Sequence, residues 1–152
     1  MAVYKIVEIG DPILREKCRP VQKVSPSVLK LLDNLADTLR EVEGAGLAAP
    51  QIGVPKRVFV VDVGDGLIEL INPVLIWSDG HKIELEGCLS IPGVQKQVIR
   101  PLRAKMSGLN RFGEEIVVEG EGLLARALVH ELDHLDGILF IDHINKELRE
   151  QA

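Results

Sequence analysis

The chain has 152 residues, of which 46% are hydrophobic but only 3% aromatic, and it carries a formal net charge of −5. That length and apolar content suit one compact domain, 1–152, with a core of Leu, Ile, Val and Ala; the scarcity of rings and the mixed-sign charge argue against a nucleic-acid-binding surface. Two cysteines cannot form a disulfide framework, the first ten residues lack a signal-like pattern, and no apolar run would span a bilayer, so a cytoplasmic protein with no membrane partner is expected.

The first clear element starts at Ser25-Pro26, a hydroxyl able to cap free N–H groups followed by a residue pre-set for a first turn. Val28, Leu31, Leu32, Leu35, Leu39 and Val42 then recur at helical spacing, predicting an amphipathic helix over 27–42 with Gly44 as its stop. Residues 44–51, Gly-Ala-Gly-Leu-Ala-Ala-Pro-Gln, are too small-sided for a core helix and too apolar for a solvated loop; backbone there can approach a ligand closely. Short β-like runs follow at 57–63, 66–71, 74–77, 82–85, 94–99, 103–108 and 115–118. Asp65-Gly66, Asp79-Gly80 and Phe112-Gly113 suit reversals between antiparallel strands. A second helix is expected over 120–135, ending at Gly137, and a short last one over 145–151. The expected fold is α+β: small antiparallel sheets packed around a central metal-binding helix, with an N-terminal amphipathic helix.

Chemistry concentrates in His130-Glu131-Leu132-Asp133-His134. Imidazoles four residues apart project from one helical face and can share an ion, with Glu131 placed to take a proton from water activated there. A hydrolytic ion needs a third protein ligand and one open position. Where a longer protease motif would supply a third histidine, this chain has Phe140; His143, Glu147 and Glu150 are weak candidates. Cys88, between a glycine and a nearby proline in Glu86-Gly87-Cys88-Leu89-Ser90-Ile91-Pro92, is a better one, since a thiolate binds zinc or iron well. Cys18 reads as a small core residue. On the helix motif alone, a metalloprotease and a non-enzymatic metal-binding module stay open beside a hydrolase with Cys88 as ligand.

Segments 44–51, Glu86-Gly87-Cys88-Leu89-Ser90 and 130–134 together resemble the three signature motifs of peptide deformylase, in the same order and at similar separations. Gly10-Asp11-Pro12-Ile13-Leu14-Arg15 and Phe59-Val60-Val61-Asp62 extend the likeness over nearly the whole chain. The resemblance implies removal of the formyl group from N-formylmethionine on new polypeptides, releasing formate. It assigns Cys88, His130 and His134 to one divalent ion, iron(II) in the cell and replaceable by zinc, nickel or cobalt. Glu131 would be the general base, and the Gln51 amide with the Leu89 backbone N–H would stabilise the oxyanion. The Gly46 backbone would bind an extended substrate, Ala45, Leu123 and Ala127 would take the methionine side chain, and Glu86 with Arg100 would shape the pocket as a buried pair. A transient ribosome contact is also implied, although the chain after Phe140 is short. Val129 and the 107–109 stretch depart from the family's usual glutamine and aromatic residue.

Overall fold

The structure, a computed structural model, describes residues 2–144; the helix expected over 145–151 lies outside them. Helix α1 spans Pro26–Val42. Ser25 takes the N-cap position as expected, but its hydroxyl bonds to Ser27 Oγ at 2.8 Å and caps no N–H. Its stop also differs from expectation: the left-handed residue is Glu43, φ 53°, not Gly44. Gly44 is small for another reason, because a Cβ there would lie 2.9 Å from the Leu89 side chain.

Seven strands follow: β1 Gly46–Ala48, β2 Val58–Val61, β3 Ile68–Asp79, β4 Lys82–Cys88, β5 Ile91–Arg100, β6 Arg103–Leu109 and β7 Glu115–Glu121. All pairings between them are antiparallel, in a five-stranded sheet of order β1-β2-β3-β6-β7 and a separate β4-β5 hairpin. The runs expected at 66–71 and 74–77 merge into one strand, β3, which starts only at Ile68, with a register shift between Ile71 and Val74. The irregularity falls at Asn72-Pro73, where Asn72 adopts φ 52° and its amide pairs with the backbone N–H and C=O of Val21. Asp79-Gly80 does not close a hairpin as expected: it passes the chain from one sheet to the other, since β3 pairs with β6 and β4 with β5.

The second helix, α2, is Leu123–Leu135, three residues shorter at its start than expected. Gly120 and Glu121 finish β7, and Gly122 at φ 63°, ψ −125° holds a conformation only glycine reaches easily, so the helix begins after it. Past its end, Gly137 combines φ +74° with a Cβ position only 2.5 Å from Arg15 O, so both conformation and space demand glycine.

The alternation along β2 and β3 explains the layering. Val58, Val60 and Ile71 face α1, packing with Leu32, Leu35 and Leu39, while Phe59, Val61 and Leu70 face α2, packing with Ala127, Leu128 and Leu135. Strand β2 is therefore buried on both sides, and α2 lies between the large sheet and the hairpin. A third cluster, Leu14, Ile91, Val98, Leu139 and Phe140, seats the hairpin against the chain that follows α2.

Candidate metal centre

Cys88 ends β4, where the register jumps between Gly87 and Cys88 so that Cys88 faces Ile91 across a tight turn. This places its Sγ 3.3 Å from His134 Nε2 on α2. Cys88, His130 and His134 offer ligand atoms all within 4.8 Å of one another. Tetrahedral coordination with metal–sulfur and metal–nitrogen bonds near 2.3 and 2.1 Å separates such ligands by about 3.5 Å, so the donor spacing fits a single ion. His143, a weaker candidate from sequence, lies elsewhere: its Nε2 is 2.8 Å from Asp133 Oδ2. Phe140, standing where a third histidine would, stacks on the His130 ring at 6.4 Å. Glu147 and Glu150 fall outside the described residues.

Behind the donors is a buried ionic network. His130 Nδ1 lies 2.6 Å from Glu86 Oε2, so that Nδ1–H donates to the carboxylate and Nε2 is left able to hold an ion. Glu86 also accepts from Arg100 Nε and Nη2 at 3.1 and 2.7 Å and from Arg126 Nη1 at 2.8 Å; Arg100 in turn donates to Asp133 at 2.7 Å. Burial by itself would raise the Glu86 pKa, but the bonds from His130 and Arg100 outweigh it and hold the carboxyl well below the usual range. Arg100 pairs with Glu86 in the buried site, as the resemblance implies, and does not itself line the cavity. It is 2% exposed with its donors committed to Glu86 and Asp133, so it acts through them.

The two imidazoles are driven apart. Burial and the charges of His130 and Arg100 push His134 well below the ordinary value, leaving a neutral ring with a lone pair. Burial opposes charge on His130 too, yet Glu131, Cys88 and Glu86 raise its pKa to about 10. Positive charge is thus favoured at this ring, and an ion on Nε2 would supply it.

Glu131 is 4% exposed, with Oε2 4.0 Å from His130 Nε2 and Oε1 buried without a hydrogen-bond partner. Burial raises its pKa to about 7, the range in which a carboxylate both takes and returns a proton near neutrality. It packs on Gly46, where a Cβ would come within 2.7 Å of Oε2. Gln51 sits in the 3-10 turn Ala49–Ile52; its Oε1 accepts from Ala48 N at 2.9 Å and its Nε2 lies 3.1 Å from Ser90 Oγ and 3.8 Å from Cys88 Sγ.

Cys88, His130, Glu131, Gln51 and Glu86 border a cavity of about 810 Å³ that is also lined by Ala45, Gly46, Leu89, Leu123 and Ala127. The site therefore combines three side chains that could hold an ion, an open side, a buried carboxylate and a side-chain amide. Sequence reading missed Arg126, Asp133 and Ser90. Arg126 and Asp133 stand four before and three after His130, a spacing that shares its helical face, and Ser90 is two residues from Cys88.

Comparisons with known proteins identify the family. A sequence model of the family described as "Polypeptide deformylase" matches residues 3–150. The chain is 58% identical over 150 residues to a peptide deformylase of Carboxydothermus hydrogenoformans, covering 99% of each chain. It resembles the crystal structure of a peptide deformylase from Legionella pneumophila with a TM-score of 0.92 and 39% identity, over 99% of this chain and 90% of that one. A deformylase from Ehrlichia chaffeensis, solved in complex with actinonin, matches with a TM-score of 0.93 and 35% identity, over 99% and 94%.

Proposed function

Since the chain belongs to the polypeptide deformylase family and is a metal-dependent hydrolase that removes the formyl group from new polypeptides, we propose that Cys88, His130 and His134 hold its ion. The observation that carries this reading is the convergence of one sulfur and two imidazole nitrogens beside a buried carboxylate with an unpaired oxygen. An ion held by these three residues would supply Lewis acidity toward the formyl carbonyl and toward a water molecule. Glu131 takes the water's proton and delivers it to the departing amine, which its raised pKa suits. As negative charge develops on the formyl oxygen, the Gln51 amide and the Leu89 N–H donate to it. Glu86 keeps His130 in the ligating tautomer, with Arg100 and Asp133 behind it.

An extended peptide fits between the two sheets. In the pairing of the described residues β1 is an edge strand and β4 pairs only with β5, and the cavity separates Gly46 from Gly87. The substrate backbone would hydrogen-bond Gly46 as an added strand, its methionine side chain entering between Ala45, Leu123 and Ala127. Two imidazoles and a thiolate accept several divalent ions; we infer iron(II) as the resident one, with zinc, nickel or cobalt as substitutes. Among the described residues no helix is long and apolar enough to cross a membrane. The proposed setting is the cytoplasm, with one catalytic domain, 1–152, meeting nascent N-formylmethionyl chains in transient contact with the ribosome.

Anaerobic purification, metal analysis and formate release from a formyl-methionyl peptide test the assignment together. One ion per chain and metal-dependent formate release are expected, with both lost in Cys88→Ala. A Cys88→Ala protein that keeps stoichiometric metal would overturn the ligand set.

A further inference from the structure

We propose that Ser90, held in place by the N-terminal arm, is a positioning residue that keeps one amide N–H of Gln51 turned toward the reacting carbonyl. This rests on the reading of Gln51 as an oxyanion donor. The Gln51 amide has one sensible orientation: Oε1 accepts from Ala48 N–H at 2.9 Å, and a flip would set NH2 against N–H. Of the two Nε2 hydrogens, one goes to Ser90 Oγ at 3.1 Å. The other faces Cys88 Sγ across 3.8 Å, a long contact that an incoming oxygen can displace. Gln51 is 1% and Ser90 0% exposed, so this bond is buried. Without that acceptor the terminal torsion of Gln51, intrinsically broad, loses its reference, and its buried N–H turns to the nearest remaining acceptor instead of the substrate.

Ser90 and Gln51 belong to different sheet systems, and the two sheets share no strand pairing. The seam is closed by the N-terminal arm. Val7 N donates to Gln51 O at 2.7 Å and Ile9 N to Ser90 O at 2.8 Å, so one extended segment bonds one side of the seam and then the other. The arm is itself anchored upstream, Ala2 N on Asp37 Oδ2 and Tyr4 N on Thr38 Oγ1 of α1. Its side chains alternate: Ile6 packs into the cluster under α1 and Val7 into the cluster under the hairpin. The separation of the two backbones, and with it the Gln51–Ser90 bond, is thereby set by residues far from the chemistry in sequence.

The test is a double-mutant cycle on the metal-loaded enzyme, reading kcat and KM separately together with the metal-to-protein ratio. Gln51→Ala is expected to lower kcat by about a hundredfold, the scale of one oxyanion donor. Ser90→Ala should lower kcat about tenfold with KM and metal content unchanged, yet add less than about twofold in the Gln51→Ala background, because its effect passes through that amide. Ile9→Pro, which deletes the N–H donated to Ser90 O, should follow the same pattern, and the Ser90 cycle decides the matter even if that variant does not fold. Equal factors for Ser90→Ala with and without Gln51, or loss of metal in Ser90→Ala, would overturn the positioning role alone. An undiminished kcat in Gln51→Ala would overturn the oxyanion reading and this inference with it.

Discussion

Replacing Glu86 by Gln probes the network behind the ion. The carboxylate accepts four hydrogen bonds, two at Oε1 from Arg100 Nε and Arg126 Nη1 and two at Oε2 from Arg100 Nη2 and His130 Nδ1. An amide has one oxygen, so in either orientation two donors meet an NH2 group, and Arg100 and Arg126, 2% and 7% exposed, lose their shared counter-charge. Asp133 still pairs with Arg100, which keeps the loss within the usual cost of breaking a buried pair, about 3–5 kcal/mol. For a chain of this size that is a fall of about 10 °C in the melting temperature. If Gln keeps its oxygen toward Arg126, His130 loses its acceptor, and metal affinity should fall about 10–100-fold. Melting the metal-free protein isolates the network, and titration against a competing chelator isolates the ion. The sign with pH is also defined: a carboxyl held below its ordinary 4.5 contributes fully above that value, and the contribution drains away as acid approaches its folded pKa. Wild type should lose stability below about pH 4.5 along a slope that Glu86→Gln lacks. A variant with the wild-type melting temperature and chelator resistance would refute the reasoning.

Glu131→Gln should keep its metal and lose about 10²–10⁴ in kcat, measured by formate release. Because burial raises the Glu131 pKa from 4.5 to about 7, the neutral form is preferred in the folded state and its advantage disappears as pH rises through 7. Metal-free Glu131→Gln should therefore match metal-free wild type at pH 4 and exceed it at pH 8 by on the order of 2–3 kcal/mol in denaturant unfolding; equality at pH 8 would contradict the burial argument. Gly46→Ala should fold and retain metal but lose at least tenfold in kcat, since its Cβ would displace the carboxylate 2.7 Å away. Cys18 is 3% exposed and burial raises its thiol pKa to about 11, so iodoacetamide at pH 8 should modify chelator-treated protein once, at Cys88, as read by mass spectrometry.

Several features were legible because they are local. A helix periodicity needs only its own residues, and α1 falls within one residue of its expected start. The pair His130 and His134 shares a face by helix geometry alone, and the chemistry of a thiolate singled out Cys88 before any fold was known. The strands were found as segments, but β3 was read as two because Asn72-Pro73 looks like a break; a left-handed residue whose side chain bonds Val21 lets the strand run through it. Strand β1, only three residues of Gly, Leu and Ala, has no pattern of its own and exists by pairing with β2.

What required the tertiary structure is everything set by contacts between distant segments. Nothing in the spacing of Glu86, Arg100 and Arg126 says that one carboxylate collects two guanidiniums and an imidazole: Arg100 reaches it within the hairpin, but Arg126 and His130 reach it only when the hairpin docks on α2. Burial likewise decides the protonation preferences of Glu131, His130 and His134, and burial is a property of the packed molecule. The sequence by itself determined the donor types, their helical face and the order of the elements, since these follow from residue chemistry and backbone periodicity. The fold decided which donors meet, which tautomer His130 holds, and that an N-terminal arm bonds the backbone of Gln51 on one side and of Ser90 on the other. The physical reason is the range of the forces: dihedral preferences act within a few residues, whereas desolvation and hydrogen bonding depend on whatever the fold brings within a few ångströms.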